Sequence, residues 1–319
     1  MASCFYIVLN MSLTAAAVSL AVLALRLVLR RVLPASVLYA LWALVLLRLL
    51  LPVSLPSEAS LFNAVGRMVS VPAGPSEATV TNAIRAVNGY FPMRFKTPAL
   101  AGLFHWAGVV WLAGAALGAG GMLTLYILTA RRFRTAARMQ NALTAGCAAE
   151  MELKRDIPLL VSGDVSSPVV FGIFKPRVIV PPGFDEDREA LRYALLHEYA
   201  HIRRGDNLGR VLAALALCAH WFNPLMWLCF TLSARDMELA CDAKVLNRLD
   251  GPQRRGYALA LAGLAERRQP ALASAFGSSA VKQRIVGIVY YKKRTLIEIL
   301  LSAVLLCALA AALLSNPAM

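Results

Sequence analysis

The chain has four histidines, few enough that the spacing of two of them carries information. The stretch ALLHEYAHIRRGD, residues 194–206, sets His197, Glu198 and His201 in the order HExxH. On a helix, residues four apart share a face, so both imidazoles reach one zinc ion while Glu198 stands beside the first. A zinc site that does chemistry also needs a third protein ligand and an open position for water. The stretch MELACD, residues 237–242, offers one, because Glu238 and Asp242 are again four apart. Glu238 completes a His2Glu set, and Asp242, one turn on, accepts the spare N–H of a zinc-bound histidine and fixes its tautomer. The apolar neighbours Leu239, Ala240 and Cys241 imply a packed helix rather than a solvated acidic face.

Between the two motifs, residues 211–233 are almost continuously apolar. One straight helix through them would carry Glu238 roughly 33 Å from the HExxH helix. Asn223 and Pro224 interrupt the run, so two shorter helices are expected, with the chain returning after dipping into or lying against the inner leaflet. His220, in AHWFNPLMW, is a candidate donor to the oxyanion of a tetrahedral intermediate, or else a buried histidine at the helix break; both readings stand. Arg203 and Arg204 are read as a solvated basic face. Upstream, Val169–Phe174 and Arg177–Val180 read as two short strands around Lys175-Pro176, either an edge that pairs with an extended peptide or a plain packing hairpin. The acids of DEDREALRYALL open the active-site helix, where the helix dipole favours them.

The elements that position these residues belong to a chain that is 59% hydrophobic and 16% charged, with a mean hydropathy of +0.61. That composition excludes a disordered, collagen-like or disulfide-stapled secreted protein and places much of the chain in lipid. Cys4, Cys147, Cys218, Cys229, Cys241 and Cys307 contain no CxxC pair and read as reduced or buried thiols. The net charge of +15 is concentrated: residues 131–294 hold 25 Lys and Arg against 15 Asp and Glu, while residues 55–100 hold four against two. The positive-inside rule accounts for that excess, and with no recognised binding motif beside it no direct nucleic-acid partner is expected.

Four stretches have the length and polarity of spanning helices, for which about 20 apolar residues suffice. They are Phe5–Leu29, Leu33–Leu51, Leu100–Ala130 and Leu296–Leu314. The clusters Arg26/Arg30/Arg31, Arg131/Arg132/Arg134 and Lys292/Lys293/Arg294 all fall on the cytoplasmic side if the N-terminus is outside. Arg48, near the outer end of the second span, is expected to snorkel to the headgroups. The GxxxG of Gly114 and Gly118 is expected to reflect background composition rather than close helix packing.

FGIFKPRVIVP, LLHEYAHIRRGD, HWFNPLMW and RDMELACDAKVL, in this order, resemble the signature series of the membrane-bound zinc metallopeptidases of the beta-lactam sensor and antirepressor type, the Bla/Mec regulatory sensors. The resemblance runs from about Leu100 to Arg294. It implies that His197, His201 and Glu238 are zinc ligands, Glu198 the catalytic base, and Asp242 a residue that orients a ligand from behind. It also implies cleavage of cytoplasmic proteins, notably transcriptional repressors, and self-processing, for which Ala273–Ser279 resembles the place; a plain linker is the other reading. Full-length sensors carry an extracellular penicillin-binding domain after the last span, whereas this sequence stops at Met319. The expectation is therefore a family member without the C-terminal sensor domain. Ser279 and Lys282 formally spell SxxK, but on the cytoplasmic side and without the surrounding fold, and are read as coincidence.

Together these features predict a mostly α, polytopic protein of the bacterial cell membrane with four transmembrane helices and a cytoplasmic gluzincin-like α+β zinc peptidase domain. The expected boundaries are residues 1–54 for transmembrane helices 1 and 2, 55–99 for an extracellular loop and 100–130 for transmembrane helix 3. Residues 131–294 form the metallopeptidase domain, with a re-entrant or surface helix pair near 211–233, and 295–319 form transmembrane helix 4 and a short outer tail. The expected function is zinc endopeptidase action on a cytoplasmic protein, a repressor in an antibiotic or cell-wall-stress response. Glu198 and His220 are the catalytic candidates, and His197, His201 and Glu238 the candidate Zn2+ ligands. The lipid bilayer is a partner, while a separate sensor protein and a homodimer are left open. Two alternatives remain: a quality-control zinc peptidase for membrane proteins, and a non-catalytic zinc-containing signalling scaffold. Glu198 argues against the scaffold, since a purely structural site has no use for a non-ligand carboxylate there.

Overall fold

The structure, a computed structural model, describes residues 2–30, 32–51, 56–57, 98–267, 274–314 and 316–317. The loop expected over 55–99 therefore lies almost wholly outside the described residues, as do Ala273 and most of the expected outer tail. The chain is mostly helical, with a small sheet. The helices are α1 (Ala2–Leu29), α2 (Ala35–Leu50), α3 (Pro98–Arg132), α4 (Leu143–Glu150), α5 (Arg188–Arg204), α6 (Asp206–Ala219), α7 (Pro224–Leu246), α8 (Gly251–Arg267), α9 (Ser274–Val289) and α10 (Leu296–Leu314). Among the described residues, three helical stretches are long and apolar enough to cross a membrane: Ser3–Leu29, Ala101–Thr135 and Leu296–Leu314. The second expected span is a shorter apolar helix of 16 residues, α2, about 24 Å long at the usual rise.

The described residues form two compact units, one drawn from Met1–Gly121, Leu212–Ser233 and Arg294–Met319, the other from Met122–Val211 and Ala234–Lys293. In the first, Ala15, Val18 and Val22, spaced along one face of α1, share an apolar cluster with Leu38, Leu41, Trp42, Val45 and Leu49 of α2 and Leu313 of α10. Arg48 does not snorkel as expected. It is only 2% exposed, and its Nη1 donates to the Leu314 carbonyl oxygen at 3.4 Å, an acceptor at the negative end of the α10 dipole.

The apolar run 211–233 divides as its Asn-Pro pair predicts. α6 ends at Ala219, and α7 begins at Pro224, where a missing N–H costs nothing. Asn223 caps α7, its Oδ1 accepting from the Leu225 N–H at 3.0 Å, while its Nδ2 donates to Ser12 Oγ at 2.8 Å. The turn is also held by indoles: Trp111 Nε1 donates to the Ala219 carbonyl at 2.7 Å, and Trp221 Nε1 to the Trp111 carbonyl at 3.2 Å. This packing corrects the reading of the GxxxG as mere background. A Cβ on Gly114 would stand 2.4 Å from the Trp221 ring, and one on Gly118 3.2 Å from Cys218 Sγ.

The second unit is built on strands β1 (Ala137–Met139), β2 (Leu159–Val161), β3 (Val169–Phe171) and β4 (Arg177–Val180), in the order β1-β2-β4-β3. β2 and β4 pair in parallel, and β3 and β4 form an antiparallel hairpin, with Val169 opposite Ile179 and β3 on the edge, ending at Phe171 rather than at the expected Phe174. Asp187 caps α5, its Oδ1 accepting from the Ala190 N–H at 2.9 Å. Leu191, Leu195, Leu196 and Tyr199 of α5 are buried in a core with Val178 and Val180 of β4, Cys241, Val245 and Leu246 of α7, Tyr257 and Leu261 of α8, and Ile288 of α9. The stretch read either as a self-processing place or as a plain linker is helical from Ser274 onward.

Candidate metal centre

The apolar positions of α5 face the core, and the HExxH residues turn toward a cavity of about 240 Å³. His197, Glu198 and His201 line it together with Glu238 of α7, Arg284 of α9, Tyr257 of α8 and the edge-strand residues Val169 and Val170. Return of the chain through α6 and α7 thus brings Glu238 to the paired histidines. His197 Nε2 and His201 Nε2 lie 3.2 Å apart; Glu238 Oε2 is 3.3 Å from the first, and Oε1 is 3.6 Å from the second.

The opposite edges of both imidazoles are already engaged. His201 Nδ1 is 2.8 Å from Asp206 Oδ2, and His197 Nδ1 is 2.9 Å from the Tyr257 hydroxyl. Tyr257 donates in turn to Asp242 Oδ1 at 2.6 Å, so its oxygen is free to accept from His197. This pattern assigns the protons to Nδ1 and turns two Nε2 lone pairs toward one point beside a carboxylate. Donor atoms bonded at about 2.0–2.1 Å in a tetrahedral shell stand roughly 3.3–3.4 Å apart, close to the separations found. The residues present fit a divalent metal.

Asp206 owes its place to Gly205, which ends α5 with φ +73° and lets α6 begin at the next residue. The carboxylate then reaches back to His201, while Arg204 Nε donates to its other oxygen at 3.3 Å. Arg204 is therefore turned inward, unlike the solvated pair expected, whereas Arg203 is half exposed. Cys241 Sγ donates to Asp206 Oδ2 at 3.1 Å. His201, Asp206 and Cys241 are near enough together to form a second donor group, but burial, then the charge of Asp206, pushes the thiol well above its ordinary pKa, which disfavours the thiolate that a metal needs.

Arg284 closes the site. Its Nε and Nη2 donate to the two oxygens of Asp242, each at 2.7 Å, and its Nη1 lies 3.2 Å from Glu238 Oε2. Burial opposes ionisation of Asp242, but Arg284 and then His197 outweigh it and bring its carboxyl to about 2. Burial likewise opposes the Glu238 carboxylate, yet His197, His201 and Arg284 hold it below the usual range. For His197, burial and the Arg284 charge disfavour the imidazolium, while Asp242 and Glu238 favour it more strongly, to about 9, so a metal binding at Nε2 would displace the proton there and leave the one on Nδ1.

Of the residues singled out from sequence, His197, Glu198, His201, Glu238 and Asp242 come together. His220 is packed in the first unit, 1% exposed, with Nε2 donating to the Leu49 carbonyl at 3.2 Å, the geometry of a buried histidine at a helix break. Asp206, Tyr257 and Arg284 were not anticipated. Asp206 stood inside the quoted motif, but nothing local marks Tyr257 or Arg284.

A family model described as BlaR1 peptidase M56 matches residues 6–288. Among curated proteins, the chain is 30% identical over 153 residues to the Regulatory protein BlaR1 of Bacillus licheniformis, covering 46% of this chain and 26% of that one. It is 31% identical over 108 residues to the Methicillin resistance mecR1 protein of Staphylococcus aureus, covering 33% and 18%. The chain thus spans about a quarter or less of the length of these relatives.

Proposed function

The chain belongs to the BlaR1 peptidase M56 family, and from that premise we propose that it is a membrane-embedded zinc endopeptidase that cuts a cytoplasmic protein. The observation that carries this reading is the convergence of His197 Nε2, His201 Nε2 and a Glu238 carboxylate from a second helix, with mutual distances of 3.2, 3.3 and 3.6 Å. These three residues would hold the metal, with Asp206 orienting His201, and Tyr257 and Asp242 orienting His197. When bound, zinc supplies Lewis-acid polarisation of the scissile carbonyl and an acidified water. Glu198, half-buried on the cavity wall beside His197, takes the proton of the attacking water and returns it to the leaving amine nitrogen. The free side of edge strand β3 offers main-chain groups to an extended peptide, which suits a protein substrate better than a small molecule.

The curated relatives are named as a regulatory and a methicillin-resistance protein, and by that likeness the substrate is a transcriptional repressor in a beta-lactam or cell-wall-stress response. A four-span topology with the gluzincin-like unit in the cytoplasm accords with the basic residues that follow α3 and precede α10. In this topology His220 is structural.

The test compares the purified full chain with Glu198→Gln on the repressor encoded nearest to it and on an unfolded protein such as casein. Zinc-dependent cleavage of the repressor by the wild type alone supports the reading. Equal cleavage by both proteins contradicts the mechanism, and cleavage of casein alone favours a quality-control peptidase.

A further inference from the structure

We propose that Arg284 is a positioning residue of the metal centre, a guanidinium clamp that holds Asp242 and Glu238 in the geometry the ligand set requires. The inference rests on the zinc-peptidase reading. Arg284 stands on α9, 42 positions after Asp242, and its side chain is only 12% exposed. Asp242 and Glu238 are one turn apart on α7, so two carboxylates of like charge crowd one buried face. One planar cation bridges the two, with two parallel hydrogen bonds of 2.7 Å to Asp242 and a third contact of 3.2 Å to Glu238 Oε2.

The clamp extends to a histidine ligand. Asp242 Oδ1, fixed by Arg284, accepts from the Tyr257 hydroxyl, which accepts from His197 Nδ1. One side chain therefore bears on the third ligand directly and on the first both through Asp242 and Tyr257 and at close range, its Nη2 3.4 Å from His197 Nε2. Lysine, a point charge without the fork, cannot reproduce this pattern. Arg284 lines the cavity, but its side chain is largely buried and all three of its nitrogens are turned to the two carboxylates, the arrangement of a positioning residue. Arg210 is the more exposed cation on the cavity wall, 45% exposed, with Nη2 at 3.1 Å from Glu238 Oε1.

The test uses the full chain in detergent as wild type, Arg284→Met, Arg284→Lys, Asp242→Asn and the Arg284→Met/Asp242→Asn pair, with Lys282→Ala on an exposed neighbour as control. Zinc is titrated against a chromophoric chelator, and the visible spectrum is recorded with cobalt in its place. Loss of a partner behind a ligand weakens metal binding by about 10- to 100-fold. That loss is expected for Arg284→Met, with shifted cobalt bands, partial recovery in Arg284→Lys, no change in Lys282→Ala, and no further loss in the double variant. Zinc affinity within about twofold of wild type and an unaltered cobalt spectrum in the arginine variants, even with a lower unfolding temperature, would mean a purely structural role and overturn the proposal. If Arg284→Met does not fold, Arg284→Lys decides by the same criteria. Failure of the wild type itself to bind zinc contradicts the underlying reading, an outcome visible without any variant.

Discussion

Asp206 Oδ2 lies 2.8 Å from His201 Nδ1 although the two residues belong to different helices, joined only by the left-handed turn at Gly205. A helix that ran on through residue 206 would not form this contact, because positions five apart on an α-helix do not face one another. Gly205 thus shapes the candidate centre without touching it. Asp206→Ala should weaken zinc binding about 10- to 100-fold, and Asp206→Asn less, since its amide oxygen still accepts from Nδ1. Competition titration measures both; unchanged affinity in Asp206→Ala would refute the orienting role.

Tyr257 ties His197 to Asp242 through one hydroxyl. Tyr257→Phe keeps the ring in the core and removes the link, taking from His197 Nδ1 its nearest acceptor while Asp242 keeps Arg284, at a cost of roughly 1–3 kcal/mol. Its expected signature is a fall in kcat/KM with a modest drop in unfolding temperature. Full activity in this variant would place the control of His197 elsewhere.

Gly114→Ala puts a methyl group where the Trp221 ring lies, while Gly121→Ala on the same helix meets nothing within 4 Å. The first should destabilise by about 1–3 kcal/mol. The second should be neutral or slightly stabilising, by up to about 1 kcal/mol. Thermal unfolding in detergent separates them, and equal effects would speak against close packing at Gly114.

Cys147 is buried in the core of the second unit, and burial raises its thiol from 9.0 to about 11. A raised folded pKa means that the stabilising contribution is complete below 9.0 and is lost as pH climbs toward 11, a change on the order of 2 kcal/mol. Replacement by alanine should flatten the stability curve over that alkaline range, and the native thiol should resist alkylation at neutral pH. Rapid alkylation of Cys147 in the folded protein would contradict its burial.

The residues that gather at the candidate centre were legible because two of its parts are local. HExxH needs only helical periodicity, and Asn223-Pro224 announces a break by cap chemistry that any apolar run would show. Glu238 was reachable because an open zinc site demands a third ligand. Arg284 and Tyr257 were not legible, since their roles exist only once α8 and α9 pack against α5 and α7. Arg48 was misread for a similar reason: snorkelling is the default for an arginine near a span end, and the carbonyl of Leu314 that replaces the headgroup is 266 positions away. Strands β1 and β2, three residues each, are too short for alternation to mark them.

In the proposed centre, α5 and α7 lend three side chains to one metal. The zinc content, by mass spectrometry, of the purified full chain and of His201→Ala and Glu238→Ala tests this. About one equivalent per chain in the wild type and a small fraction of that in either variant is the expected result. Undiminished zinc in Glu238→Ala, with His201→Ala depleted, would show that the carboxylate of α7 is not a ligand and would contradict the account.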